Sequence, residues 1–347
     1  MGSSSCRDLP YEIPFEIAGK LEGARRVLLQ VPPGLRHLSD MIAECLAQYL
    51  RGSEIIVQLD PVFGACDLWY PVAEKVLGAD AIIHVGHTPY PEDISGPPAS
   101  PRGGVRVLFL PAHSRLEPAR ELIESAGRLL ENVGSRRIGL VSTAQHARYL
   151  GGVSSVLREL GFEPVVPGGV SPYFMDGQVL GCDYRLARSL RDIDGYLYVG
   201  GGRFHPLGLY LATQKPVVVA DPYRGEAYDL TPLGEKTLRL RLYKVSQAMD
   251  AKRIAIVLGL KTGQYRPWLV SQLRELARRR HVETLLYASD RTSIEDLRSL
   301  PRVDAIVITS CPRLPIDDFS RFEIPVLTPG EARMALTGML EPYLFPW

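Results

Sequence analysis

The 347-residue sequence predicts an α/β protein of three similar domains, each built on a roughly four-stranded parallel sheet, in a pseudo-threefold arrangement around a central site. Three observations carry that expectation. A basic pair followed by a short apolar run recurs as Arg25-Arg26-Val-Leu-Leu-Gln-Val, Arg136-Arg137-Ile-Gly-Leu-Val and Lys252-Arg253-Ile-Ala-Ile-Val-Leu, at intervals of 111 and 116 residues. A second landmark keeps the same period: Ala79-Asp80-Ala-Ile-Ile-His-Val-Gly-His87, Ile193-Asp194-Gly-Tyr-Leu-Tyr-Val-Gly-Gly201 and Val303-Asp304-Ala-Ile-Val-Ile-Thr-Ser-Cys311. Within each unit, strand-length apolar runs alternate with helical stretches, as a parallel sheet covered on both faces requires. The repeats place the domains at 9–118, 119–235 and 236–347.

In the first unit a strand over 26–31 precedes a helix over 36–51, where Leu38, Met41, Ile42, Cys45, Leu46 and Tyr49 recur at helical spacing and form one apolar stripe. A strand over 54–59, a short helix over 68–77 and strands over 81–85 and 105–110 follow, the last after a Pro/Gly-rich stretch at 91–104. The second unit repeats the pattern with strands over 137–141, 162–166, 195–199 and 216–220, and the third over 253–258, 282–287, 304–308 and 324–327. Right-handed crossovers put the strand carboxyl ends of a unit on one edge, where open α/β sheets bind ligands. Three such edges can face a common centre.

Composition narrows the function. Apolar residues at 46% and charged residues at 23% match a globular chain and exclude a mainly disordered one. The net charge of +1 supplies no field for gripping a phosphate backbone, so nucleic acid is not expected as a partner. No run approaches the ~18 apolar residues of a membrane span, and MGSSSCRD is not a secretory leader. A soluble cytoplasmic protein is expected. Gly2–Ser5 has the composition of a cloning remnant, so residues 1–8 are left out of the fold reading.

Five cysteines are too few and scattered for a disulfide scaffold. Cys66 and Cys182, 116 residues apart, occupy equivalent loops after the second strands of units one and two, and Cys311 lies directly beyond the third strand of unit three. Each unit thus offers one thiol from its carboxyl edge. Cys45, on the apolar helical stripe, reads as a buried small hydrophobe, and Cys6 is given no role. Three such thiols admit three readings: unrelated free cysteines, structural zinc, or a 4Fe-4S cluster with three cysteine ligands and an open fourth iron. Closed zinc sites prefer four ligands in tight pairs, and the repeat register favours the cluster.

Gly64-Ala-Cys-Asp67, Leu180-Gly-Cys-Asp183, His84-Val-Gly-His87 with Thr88-Pro89, Gly263-Gln264 and above all Cys311-Pro-Arg-Leu-Pro-Ile-Asp317 resemble the diphthamide biosynthesis family, in its archaeal 3-amino-3-carboxypropyltransferase form, from about residue 12 to residue 335. The resemblance implies three α/β domains, each donating one cysteine, here Cys66, Cys182 and Cys311, to a single 4Fe-4S cluster in a homodimer. It implies S-adenosylmethionine (SAM) at the open iron and an external electron donor. Cleavage between the sulfonium and the γ-carbon then gives a 3-amino-3-carboxypropyl radical, which adds to C2 of a histidine on translation elongation factor 2. The usual radical-SAM spacing C-x-x-x-C-x-x-C is absent, as the family's distinct bond cleavage leads one to expect.

Three further residues are candidates for contact with SAM. Arg313 is placed to clamp a carboxylate through a bidentate pair, or instead to pair with Asp317. Gln264 lies in a Gly-containing loop after the first strand of unit three, and His87 at a strand end; each also reads as an ordinary loop residue. Gly200-Gly-Gly202 lacks dinucleotide spacing and reads as close packing. Two other functions fit the same outline: a dehydratase similar to quinolinate synthase, with the cluster as Lewis acid and no SAM, and a non-catalytic electron-relay or scaffold subunit.

Overall fold

The computed structural model describes residues 6–91 and 104–347, so most of the Pro/Gly-rich stretch at 91–104 lies outside the described residues. Three sheets repeat one strand order. The first runs, in space, Glu54–Val57, Arg26–Gln30, Ala81–Val85, Arg106–Leu110, with every pair parallel. The second runs Glu163–Val165, Arg137–Ser142, Gly195–Val199, Val217–Asp221, all parallel, and gains an antiparallel edge strand, Glu226–Asp229. The third runs Glu283–Ser289, Arg253–Gly259, Ala305–Ile308, Val326–Leu327, again parallel. In each, the second strand in sequence lies outside the first, and the third and fourth follow on its other side.

The two sequence landmarks meet in each unit, which explains why they keep step. The Asp80 carboxylate accepts hydrogen bonds from the backbone N–H groups of Arg25 (2.7 Å) and Arg26 (2.9 Å). Asp194 does the same for Arg136 (3.0 Å) and Arg137 (2.6 Å), and Asp304 for Lys252 (2.8 Å) and Arg253 (2.9 Å). A carboxylate that opens the third strand thus satisfies the donors at the start of the first strand and fixes the register between them. These bonds hold the Asp80 and Asp194 carboxyls below their usual pKa.

The second and third sheets share one continuous core that includes Tyr198, Val219, Ile256 and Val307, closed by the helices Thr231–Met249 and Pro329–Thr337, whereas the first sheet has cores of its own. Arg241 of the long helix is fully buried in the shared region. Its guanidinium donates to both carboxylate oxygens of Glu331 (2.8 and 2.7 Å) and to the carbonyls of Pro315 and Val326, while the Tyr343 hydroxyl donates to Glu331.

Several expectations need correction. The helix over 36–51 resolves into a 3-10 turn, Pro33–Leu38, and a shorter helix, Ser39–Ala47; Tyr49 falls beyond its end and is exposed, while Ile42, Cys45 and Leu46 form the buried face. Pro325 has no N–H to donate, and the fourth strand of unit three shortens to Val326–Leu327. Cys45 is buried as expected but is not a lone hydrophobe: it is disulfide-bonded to Cys6, 39 residues away, so Cys6 has a role and residues 6–8 belong to the fold. No helix among the described residues is long and apolar enough to cross a membrane.

Candidate functional site

The six residues singled out in the sequence, Cys66, Cys182, Cys311, His87, Gln264 and Arg313, line one cavity. Each lies beyond the carboxyl end of a strand, where the chain leaves the sheet and the backbone is free to shape a pocket. The three cysteines are free thiols, neither sealed in the core nor on the open surface.

The Cys66 loop is stitched to the loop after the first strand of unit three. Gly263 N–H donates to the Cys66 carbonyl at 2.9 Å, and the Thr262 hydroxyl donates to the Leu68 carbonyl at 3.1 Å. A Cβ on Gly263 would lie 2.5 Å from Cys66 Cα, so only glycine allows this approach. The neighbouring Gln264 side chain donates to Cys66 Sγ at 3.4 Å, and Lys261 pairs with the buried Asp67 carboxylate at 2.5 Å. Cys182 sits in a tight turn closed by reciprocal backbone bonds between Leu180 and Asp183. Its sulfur is 3.3 Å from the Tyr90 hydroxyl, and its carbonyl accepts from the Trp347 indole at 3.1 Å. Cys311 follows Ser310 directly and precedes the turn Leu314–Asp318, whose Pro315 carbonyl is held by Arg241.

One side chain joins all three loops. Arg266 is buried, and its guanidinium donates to the Thr309 and Ser310 carbonyls (3.0 and 2.7 Å), to the Gly263 carbonyl (3.0 Å) and to the Tyr90 hydroxyl (2.9 Å), while lying 4.1 Å from the centre of the Trp347 ring. Through Gly263 it braces Cys66, through Tyr90 and Trp347 it braces Cys182, and through Ser310 it braces Cys311. No periodicity or spacing marks Arg266, Tyr90 or Trp347, because their partners come from distant parts of the chain.

Burial pushes all three thiols up, Cys182 to about 12 and Cys311 to about 11, and for these two the neighbouring Cys66 adds to the rise. The Arg266 charge pulls all three the other way. A metal group bound by these sulfurs therefore has to displace protons as it binds. Among the described residues no three His, Cys, Asp or Glu side chains converge closely enough to hold a single metal ion.

Arg313 makes the Asp317 pairing that is one of its two sequence readings, on a side chain that also lines the cavity. It lines the cavity 5.5 Å from the centre of the Phe204 ring, and its Nε lies 3.3 Å from Asp317 within the same turn. Gly201 packs as expected, since a Cβ there would lie 2.9 Å from the Tyr223 ring, whereas Gly202 does not pack: it faces open space, in a left-handed conformation that favours glycine. His87 belongs to a buried polar chain: its Nδ1 is 2.9 Å from His84 Nε2, and His84 Nδ1 is 3.1 Å from Gln30 Oε1. Gln30 in turn donates to Gln58 Oε1 (2.7 Å) and to the Asp67 carbonyl (3.3 Å), one residue from Cys66. Burial holds His84 well below the usual imidazole value and His87 at about 4, so both rings are neutral at pH 7.

A family model described as putative diphthamide synthesis protein matches residues 31–343. The 2-(3-amino-3-carboxypropyl)histidine synthase of Pyrococcus horikoshii is 34% identical over 338 residues, covering 96% of this chain and 93% of that protein. The human 2-(3-amino-3-carboxypropyl)histidine synthase subunit 1 is 28% identical over 353 residues, covering 98% of this chain and 76% of that protein. A crystal structure of Dph2 from Pyrococcus horikoshii with a 4Fe-4S cluster superposes with a TM-score of 0.81 at 34% identity, over 96% of this chain and 93% of that one.

Proposed function

The chain belongs to the diphthamide synthesis protein family, and from that membership we propose that it is a transferase that moves the 3-amino-3-carboxypropyl group of SAM to C2 of a histidine on translation elongation factor 2, by a radical route at a 4Fe-4S cluster. The observation that carries this reading is that Cys66, Cys182 and Cys311, contributed by three separate sheets, line one cavity. The donor set fits the cluster: three free thiols without local pairing, each from a different sheet's loops. The three sheets of like strand order, each sending one of these thiols to the cavity, support the pseudo-threefold arrangement of domains 9–118, 119–235 and 236–347.

In this reading Cys66, Cys182 and Cys311 hold the cluster, which when bound supplies a single electron beside an open coordination position. The chain's own residues do the rest. Gln264, bonded to Cys66 Sγ, steadies that sulfur. Arg313 at the cavity edge offers a fixed positive charge to the methionine carboxylate. Phe63, Leu180 and Phe204 give the cavity apolar wall, which keeps water and other hydrogen donors away from a reactive carbon centre. The protein works in the cytoplasm as a homodimer, with a separate reductant as electron donor.

Anaerobically reconstituted protein, reduced in the presence of SAM, is expected to release methylthioadenosine and to add the mass of one aminocarboxypropyl group to elongation factor 2. Unconsumed SAM under those conditions overturns the proposal.

A further inference from the structure

The hydrogen-bond chain behind His87 fixes which of its nitrogens carries a proton. The Asp67 backbone carbonyl can only accept, so the Gln30 atom facing it is the amide nitrogen, and Gln30 Oε1 faces His84. An amide oxygen can only accept, so His84 Nδ1 carries the proton and His84 Nε2 is bare. The contact from His84 Nε2 to His87 Nδ1, at 2.9 Å, then requires the proton on His87 Nδ1. Gln30, Gln58 and His84 are all buried, so water does not relax the chain, and with both rings neutral each carries a single N–H. His87 Nε2 is left with a lone pair, on a half-buried side chain that lines the cavity.

Building on the SAM-dependent reading above, we propose that His87 binds the α-ammonium of the methionine end of SAM, accepting its hydrogen bond at the bare Nε2. Two features of the cavity point to that partner. No Asp or Glu is found among its described lining residues, so no carboxylate is at hand for an ammonium, and an unprotonated imidazole nitrogen is a basic neutral acceptor in its place. Arg313, which lines the same cavity, supplies the cation for the carboxylate, and His205 lies within electrostatic reach of both His87 and Arg313. An α-amino acid needs one cation and one acceptor in one pocket, and this pair provides them.

Two measurements test this. In long-range 1H–15N spectra of the cluster-free chain labelled at histidine, with signals assigned through His87→Gln, both His84 and His87 are expected to be protonated at Nδ1 and bare at Nε2, and Gln30→Met is expected to mix the tautomers. A proton on His87 Nε2 in the unaltered chain overturns the proposal. In the reconstituted protein, titration calorimetry compares SAM with its deamino analogue. His87→Phe is expected to weaken SAM at least about tenfold, a loss near 1.4 kcal/mol, to leave the analogue unchanged, and to be partly rescued by His87→Gln, whose amide oxygen still accepts. Equal weakening of both ligands overturns the ammonium assignment. If the unaltered protein binds neither compound, the transferase reading itself fails and the ammonium assignment with it, while the tautomer is still decided by the spectra.

Discussion

Two buried arginines divide the labour of this molecule. Arg241 meets the carboxylate of Glu331 beside the core shared by the second and third sheets, and its other acceptors are the backbone carbonyls of Pro315 and Val326. Arg266 reaches backbone carbonyls, a phenol and an indole from the first and third units, and through the phenol and indole the Cys182 loop of the second, at the wall of the cavity. The first is a structural tie; the second holds three thiols in mutual position. The same residue type, equally removed from water, thus serves stability in one place and the arrangement of a site in the other, and the partners decide which.

The comparison breaks most visibly at Arg241. Glu331→Ala strands a buried guanidinium and is expected to cost about 3–5 kcal/mol in urea unfolding, while the folded fraction keeps its three free cysteines as slow to alkylate as before. Opening the Cys6–Cys45 cross-link with Cys45→Ser removes the closure of a 39-residue separation, with an expected loss of about 3–4 kcal/mol and no change at the cavity. Arg266→Met is expected to cost less, about 1–3 kcal/mol, because water from the cavity reaches the freed carbonyls. Alkylation of Cys66, Cys182 and Cys311, read by mass spectrometry, should nonetheless quicken at least about tenfold together, a local loosening of about 1.4 kcal/mol. Arg266→Lys keeps the charge without the planar fork and should restore little of that protection. If Glu331→Ala and Arg266→Met expose the thiols equally, the division of labour is wrong.

The smallest effect comes from a group outside both clusters. Burial holds His146 at about 4, below its unfolded value of 6.5, so the unfolded chain binds the extra proton and stability falls as pH drops from 6.5 towards 4. Between pH 7.5 and 6 that amounts to about 0.8 kcal/mol for this one residue, measurable as a shift in the urea midpoint that His146→Phe should reduce.

Much of this was legible in the chain alone, for physical reasons. Strands such as Ala81–Val85 and Gly195–Val199 stand where their continuous apolar runs put them, since a sheet buried on both faces leaves no room for alternation. The cysteine loops were legible through repetition, because equivalent loops of equivalent sheets end on equivalent edges. The recurring Asp80, Asp194 and Asp304 were visible as a landmark, but their role in bonding the start of another strand is a matter of register, which only coordinates reveal. Arg266, Trp347 and the Cys6–Cys45 bond left no local trace. Each depends on partners tens to hundreds of residues away, and disulfide connectivity does not follow from spacing.

Whether sulfurs from three sheets hold one cluster is decided by counting iron and acid-labile sulfide per chain after anaerobic reconstitution. About four of each in the unaltered protein, with the full complement lost in each of Cys66→Ala, Cys182→Ala and Cys311→Ala, is the predicted result. A Cys311→Ala chain that retains a complete cluster would contradict it.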